Sequence, residues 1–241
     1  MRIKATIAYN GTKFHGSQVQ AKETSVNGTI LEALVSMGID SKLDAAGRTD
    51  RDVHATGQVI HFDLPEFWND LSRFLEILNY KLPRSIQIKK IEHVDDKFHS
   101  RFSAKRRVYR YILKEGISNP FEEEFITFHN KLDLETLKKA IKVFEGTHDF
   151  ACFYKTGGGT KTTQRIIYKT LAYEHKGCIV LYFEANGFLR SQIRMMVAFL
   201  LNINDRRYTI EDLKERLLCK KRENIKPAPA NGLYLAKIFY S

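Results

Sequence analysis

Short runs in which apolar and polar residues alternate, set between segments of helical period, constrain this chain most. Ile3, Ala5, Ile7 and Tyr9 alternate with more polar neighbours and stop at the turn pair Asn10-Gly11, the pattern of a strand with one buried face. Ser25 can cap a following helix that carries Val26, Ile30, Leu31 and Leu34 on one face, and Gly38 can end it in the left-handed conformation. Asp44 to Ala55 is irregular and polar and reads as a loop between strands, after which Gln58 to Leu64 alternates again. Phe67, Leu71, Phe74, Leu75 and Leu78 follow a helical period that Pro83 stops ahead of a strand from Ile86 to Val94.

The second half repeats a broadly similar order. A strand begins near Arg101 and runs through Val108 to Leu113, and a helix from Asp133 to Glu145 aligns Leu134, Leu137, Ile141 and Phe144 ahead of Gly146. Strands follow at Arg165 to Tyr173 and Cys178 to Ala185, then helices near Leu189 to Leu201 and after the capping pair Thr209 and Asp212, and a closing strand from Leu233 to Tyr240. The expected fold is mixed α/β (α+β) in two subdomains, residues 1–98 and 99–241, divided where apolar periodicity lapses between Asp95 and Arg101.

With 241 residues, 43% of them hydrophobic, each half has enough apolar material for a core of its own. Lys and Arg number 39 against 28 Asp and Glu, a formal charge of +11 that favours an anionic partner. Six basic residues and no acidic one lie between Arg101 and Lys114, interleaved with Phe102, Tyr109 and Tyr111, and charge mixed with aromatics suits RNA. Cys152, Cys178 and Cys219 form no Cys-x-x-Cys pair and read as reduced thiols, and the histidines offer no ligand pair better than His148 with Cys152, so no metal is expected. The N-terminus lacks a signal-peptide core and the longest apolar run, Met195 to Leu201, is far short of a membrane span; a cytoplasmic protein without membrane contact is the expectation. Gly157-Gly-Gly-Thr-Lys161 lacks the spaced upstream glycine of a P-loop and reads as a loop.

Gly47-Arg48-Thr49-Asp50 sits in the polar loop between strands, where reacting groups are commonly presented, although an isolated loop Asp usually only shapes a turn. Its neighbours are what distinguish it. Ala46-Gly-Arg-Thr-Asp50, followed by Val53-His-Ala55 and Gly57-Gln-Val59, resembles the signature loop of the TruA family of tRNA pseudouridine synthases. The segments Tyr9 to Gly16 with Gln18, Phe102-Ser-Ala104 with Tyr109-Arg-Tyr111, and His148-Asp-Phe150 with Phe153 resemble that family's motifs in order and spacing. So do Arg165-Ile166, Ala185-Asn-Gly-Phe-Leu189 with Arg194, and Ala228-Pro-Ala-Asn-Gly-Leu233.

The resemblance implies the pseudouridine synthase fold, two ferredoxin-like subdomains around a largely antiparallel sheet flanked by helices. It implies a homodimer acting on tRNA, without cofactor, at uridines 38, 39 and 40 of the anticodon arm. Asp50 would be the essential carboxylate, as nucleophile or as base, with Arg194 as the cation that keeps it ionised in a pocket that excludes water. Tyr109 would stack on the target uracil, and Arg48 would either fill the space of the flipped base or contact a phosphate. Lys105, Arg106, Arg107 and Arg165 suit backbone phosphates.

Three positions depart from the family pattern. Arg51-Asp52 stands where Ala-Gly is usual, and Asp tolerates the left-handed backbone that glycine serves in such a turn. Ser17 replaces a common tryptophan and Ala198 a common glycine, changes expected to stay clear of the chemistry. Two rival readings remain at this point: a non-catalytic RNA-binding α/β protein, and a pseudouridine synthase with a different RNA target.

Overall fold

The computed structural model describes residues 1–21, 23–157, 162–220 and 224–241. In chain order the first elements are β1 (Arg2–Tyr9), α1 (Val26–Val35), β2 (Asp44–Ala45), β3 (His54–Asp63), α2 (Leu71–Lys81) and β4 (Ile86–His93). Then come β5 (Arg106–Glu115), β6 (Thr127–His129), α3 (Leu134–Ile141), β7 (Gly146–Asp149) and β8 (Gln164–His175). The chain ends with β9 (Cys178–Ala185), α4 (Gln192–Asn204), α5 (Ile210–Leu217) and β10 (Leu233–Phe239). They form two compact units, Met1–Lys105 with Tyr234–Ser241, and Arg106–Leu233, and each is mixed α/β.

In the first unit the strand order is β4-β1-β3-β10, with β2 also on β3. β1 is antiparallel to both β3 and β4, and Ile3, Ala5, Ile7 and Tyr9 are its buried residues, as the alternation requires. β3 is buried along nearly its whole length, and strands pair with both of its edges. Its start pairs in parallel with β10, Tyr234 opposite His54 and Leu235 opposite Ala55, and the His54 and Tyr234 rings stack at 4.7 Å. The division drawn from sequence kept residues 99–241 together, whereas backbone packing sets Tyr234–Ser241 with the first unit. A parallel pairing between residues so far apart leaves no local periodicity to read.

Helix starts follow their caps. Ser25 Oγ accepts from Gly28 N–H at 3.2 Å and opens α1. Asp70 accepts from the amides of Ser72 and Arg73 and opens α2, which leaves Phe67 outside the helix and 66% exposed, against the helical period drawn through it.

The second unit has the order β5-β9-β8-β7, antiparallel throughout, with β6 added in parallel to β5. Val108, Tyr109, Tyr111 and Leu113 of β5 are buried, and α4 buries most of its length, Ala198 included. Thr209 and Asp212 form the expected capping box of α5. The buried Arg216 guanidinium lies 5.1 Å from the Phe153 ring centre and donates to the Cys152 carbonyl at 3.0 Å, so an arginine fills part of this core. Of the stretch Gly157-Gly-Gly-Thr-Lys161, all but Gly157 lies outside the described residues. Among the described residues no helix is long and apolar enough to cross a membrane.

Gly57 marks where β10 arrives: a Cβ there would stand 2.2 Å from the Ala236 carbonyl oxygen. Backbone atoms on neighbouring strands have no room to retreat without breaking the pairing. Gly57→Ala is expected to lower folding stability by about 2–3 kcal/mol, read as a lower urea midpoint; an unchanged midpoint would show that the β3–β10 contact tolerates the added methyl.

Candidate active site

Residues 46–53 run beside β3, from the level of Val59 back to the start of that strand. Ala46 N–H donates to the Val59 carbonyl at 2.8 Å, and buried Gln58 reaches out to the Gly47 carbonyl at 2.7 Å. Side chains then alternate: Arg48 is exposed, Thr49 is buried and Asp50 is half-buried. Thr49 is the anchor. Its Oγ1 shares a hydrogen bond with the Tyr9 hydroxyl at 2.8 Å, its N–H donates to Ser17 Oγ at 2.9 Å, and its carbonyl accepts from Ser17 N–H at 3.1 Å.

Asp50 begins a turn closed by Val53 N–H donating to the Asp50 carbonyl at 3.2 Å. Asp52 holds the left-handed position with φ 65°, so the turn survives the departure at Arg51-Asp52 because Asp tolerates this backbone. Arg51 Nε stands 3.9 Å from Asp52 Oδ1 with both side chains largely in solvent, an ion pair that contributes little. Ser17, expected to affect only local packing, is 1% exposed and hydrogen-bonds both the N–H and the carbonyl of Thr49, the residue before Asp50. A serine in place of an apolar residue carried that signal, since a buried hydroxyl needs a partner.

The other expected site residues, apart from Lys105, lie in the second unit. Tyr109 on β5 is buried, its ring edge-to-face with Phe188 at 5.3 Å. Arg194, two residues after the start of α4, donates through Nε to the Ala228 carbonyl at 2.7 Å, while Ala228 N–H donates back to the Arg194 carbonyl at 3.0 Å. Tyr111, unassigned by sequence reasoning, completes the mooring: its hydroxyl donates to the Pro229 carbonyl at 2.9 Å and meets Thr127 Oγ1 at 2.8 Å. Burial raises the Tyr111 phenol far above its ordinary range despite the Arg194 charge nearby, so it stays neutral. The segment at Ala228 and Pro229 thereby fixes the helix end that presents Arg194.

The basic residues differ in what already holds them. Arg106 pairs with Glu184 at 2.5 Å, and the other carboxylate oxygen accepts from the Tyr182 hydroxyl at 2.8 Å. Arg107 donates to the Asn186 carbonyl at 2.9 Å and Arg165 to the Thr162 carbonyl at 2.9 Å. Burial, then the like charge of Arg107, lowers the Arg165 pKa, so an anion placed by these two guanidinium groups would relieve their repulsion. Lys105 is exposed at the end of the first unit, its backbone N–H bound to the Phe239 carbonyl.

Among the described residues, Asp44, His61 and His99 bring ligand atoms within 4.8 Å of one another. Hydrogen bonds run through part of this cluster. His61 Nδ1 meets Ser100 Oγ at 3.0 Å, Ser100 Oγ donates to the Asp44 backbone carbonyl at 2.8 Å, and His99 Nδ1 accepts from Arg101 N–H at 3.2 Å.

The family model described as tRNA pseudouridine synthase matches residues 5–103 and 140–241. "tRNA pseudouridine synthase A" of Wolinella succinogenes is 39% identical over 99% of this chain and 94% of its own length. The proteins of the same name from Campylobacter jejuni RM1221 and Helicobacter pylori are 39% and 37% identical, over 100% and 99% of both chains in each comparison. A solved Cbf5–Nop10–Gar1 complex aligns at TM-score 0.39 and 12% identity, over 83% of this chain and 44% of that one, too distant to bear on the assignment. The chain belongs to the TruA family of tRNA pseudouridine synthases.

The histidine cluster yields a pH dependence. Burial, then the charges of His99 and Arg2, lowers the His61 pKa from its ordinary 6.5. Below about pH 6.5 the unfolded chain takes up a proton that folded His61 resists, so this group costs stability as pH falls and nothing above that range. Melting temperature is expected to fall more steeply from about pH 7.5 to about pH 5.5 in wild type than in His61→Asn; parallel curves would remove His61 from the effect.

Proposed function

We propose that this protein isomerises uridine to pseudouridine at positions 38, 39 and 40 of the tRNA anticodon stem-loop, with Asp50 as its essential carboxylate. The observation that carries the reading is the anchored loop: Thr49 is pinned through three polar atoms beside a half-buried Asp50, in a chain of this family. A carboxylate held on a rigid loop meets the demand of the reaction for a fixed group near the sugar.

The reaction breaks the N1–C1′ bond and joins C5 to C1′; the C5 proton leaves and N1 takes one up. No electrons are exchanged with the enzyme, so no redox cofactor is called for. Asp50 serves as nucleophile or as base, and Arg194 supplies the cation that favours its ionised form. Tyr109 takes the uracil ring, and Arg48, exposed on the same loop as Asp50, takes the place of the flipped base. Lys105, Arg106, Arg107 and Arg165 supply phosphate contacts, with the smallest share from Arg106 because Glu184 competes for it. The acting form is a homodimer with tRNA spanning both subunits, as the family resemblance implies.

The test is carbodiimide-modified primer extension on tRNA treated with wild type or with Asp50→Asn, alongside filter binding. Wild type is expected to give stops at positions 38 to 40, and Asp50→Asn to lose at least about a thousandfold in rate while binding tRNA with nearly wild-type affinity. Equal stops with both proteins would remove Asp50 from its role, and stops elsewhere would reassign the target.

A further inference from the structure

The contact between Ser17 and Thr49 joins two loops that are far apart in sequence, and it does so backbone to backbone. Gly16, next to Ser17, has φ 99°, and a Cβ there would lie 3.0 Å from the Thr49 carbonyl oxygen and 3.5 Å from Arg51 N. No side chain separates the two strands of this contact, so Ser17 Oγ reaches the Thr49 amide directly. The Ser17 side is itself fixed: Val26 N–H donates to the Gly16 carbonyl at 3.2 Å and Asn27 N–H to the Ser17 carbonyl at 3.1 Å. These are first-turn amides of α1, groups a helix cannot satisfy internally. A continuous set of bonds thus runs from the start of α1 through Ser17 to Thr49, one residue before Asp50.

We propose that Ser17 is a positioning residue for the reaction: its hydroxyl fixes the Thr49 peptide and so sets where the Asp50 carboxylate stands. The proposal rests on the reading of Asp50 as the essential carboxylate. Ser17 touches no reacting atom in this account. Its hydroxyl accepts from the buried Thr49 amide at 2.9 Å, and substitution by alanine would take that partner away. The loop would then answer by moving, and an error of about 1 Å in a reacting group costs up to about a hundredfold in rate.

The test compares wild type, Ser17→Ala, Ser17→Cys and Asp50→Asn in single-turnover assays with saturating enzyme, with tRNA affinity and thermal melting measured on each. Ser17→Ala is expected to lose about tenfold in single-turnover rate with tRNA affinity within about twofold of wild type at a temperature where both are folded. Ser17→Cys, whose sulfur is a weak acceptor, is expected to fall between the two. A wild-type rate in Ser17→Ala alongside an inactive Asp50→Asn overturns the role of Ser17 and leaves Asp50 in place. An active Asp50→Asn overturns the reading of Asp50 itself. If Ser17→Ala loses affinity in proportion to rate, or fails to fold while Ser17→Cys has the wild-type rate, the hydroxyl is structural only and the proposal falls.

Discussion

Everything proposed for the chemistry depends on Thr49 being held. A loop that leaves a sheet and returns has no ladder to fix it, and its backbone groups must find partners elsewhere or face water. Here the Thr49 amide and carbonyl both bond to Ser17 and its hydroxyl bonds to Tyr9, which ends β1. Gln58 on β3 holds the Gly47 carbonyl and Val53 closes the turn on Asp50. The loop is therefore held to its surroundings by hydrogen bonds along its length, with Thr49 buried between exposed Arg48 and half-buried Asp50.

A parallel arrangement organises the second unit. Arg194 and Tyr111 both bond to carbonyls of the segment at Ala228 and Pro229, so a strand and a helix are tied to one irregular stretch. Gly232 follows in close contact with β5, where a Cβ would lie 2.9 Å from the Ile112 carbonyl oxygen. The motif Ala228-Pro-Ala-Asn-Gly232 thus serves the placement of Arg194, and its residues need no part in the chemistry themselves.

Much of the fold was legible in sequence. The alternation at Ile3 to Tyr9 gave β1 and its buried face, and Ser25 and Thr209 marked helix starts, because each rests on local geometry alone. What escaped was non-local. β2, β6 and β7 are two to four residues long and carry too little pattern to see, and the return of β10 to β3 depends on a partner far away in the chain. Phe67 fitted a helical period, yet Asp70 capped the helix after it. At the site, Asp50 and Arg48 stood out through a motif, whereas Ser17 looked like an incidental departure until its buried bonds to Thr49 were in view. Arg106 could be read as a free charge only because Glu184 is remote in sequence.

The rigidity of the loop is the claim on which the placement of Asp50 stands, and amide hydrogen exchange at Thr49 addresses it without reference to activity. An amide that donates to a buried Ser17 Oγ opens only when the two loops part. Protection of the Thr49 amide is expected to be comparable to that of the β1 and β3 core amides. Exchange as fast as in an exposed loop would contradict it, because Asp50 would then be carried by a segment that moves on its own.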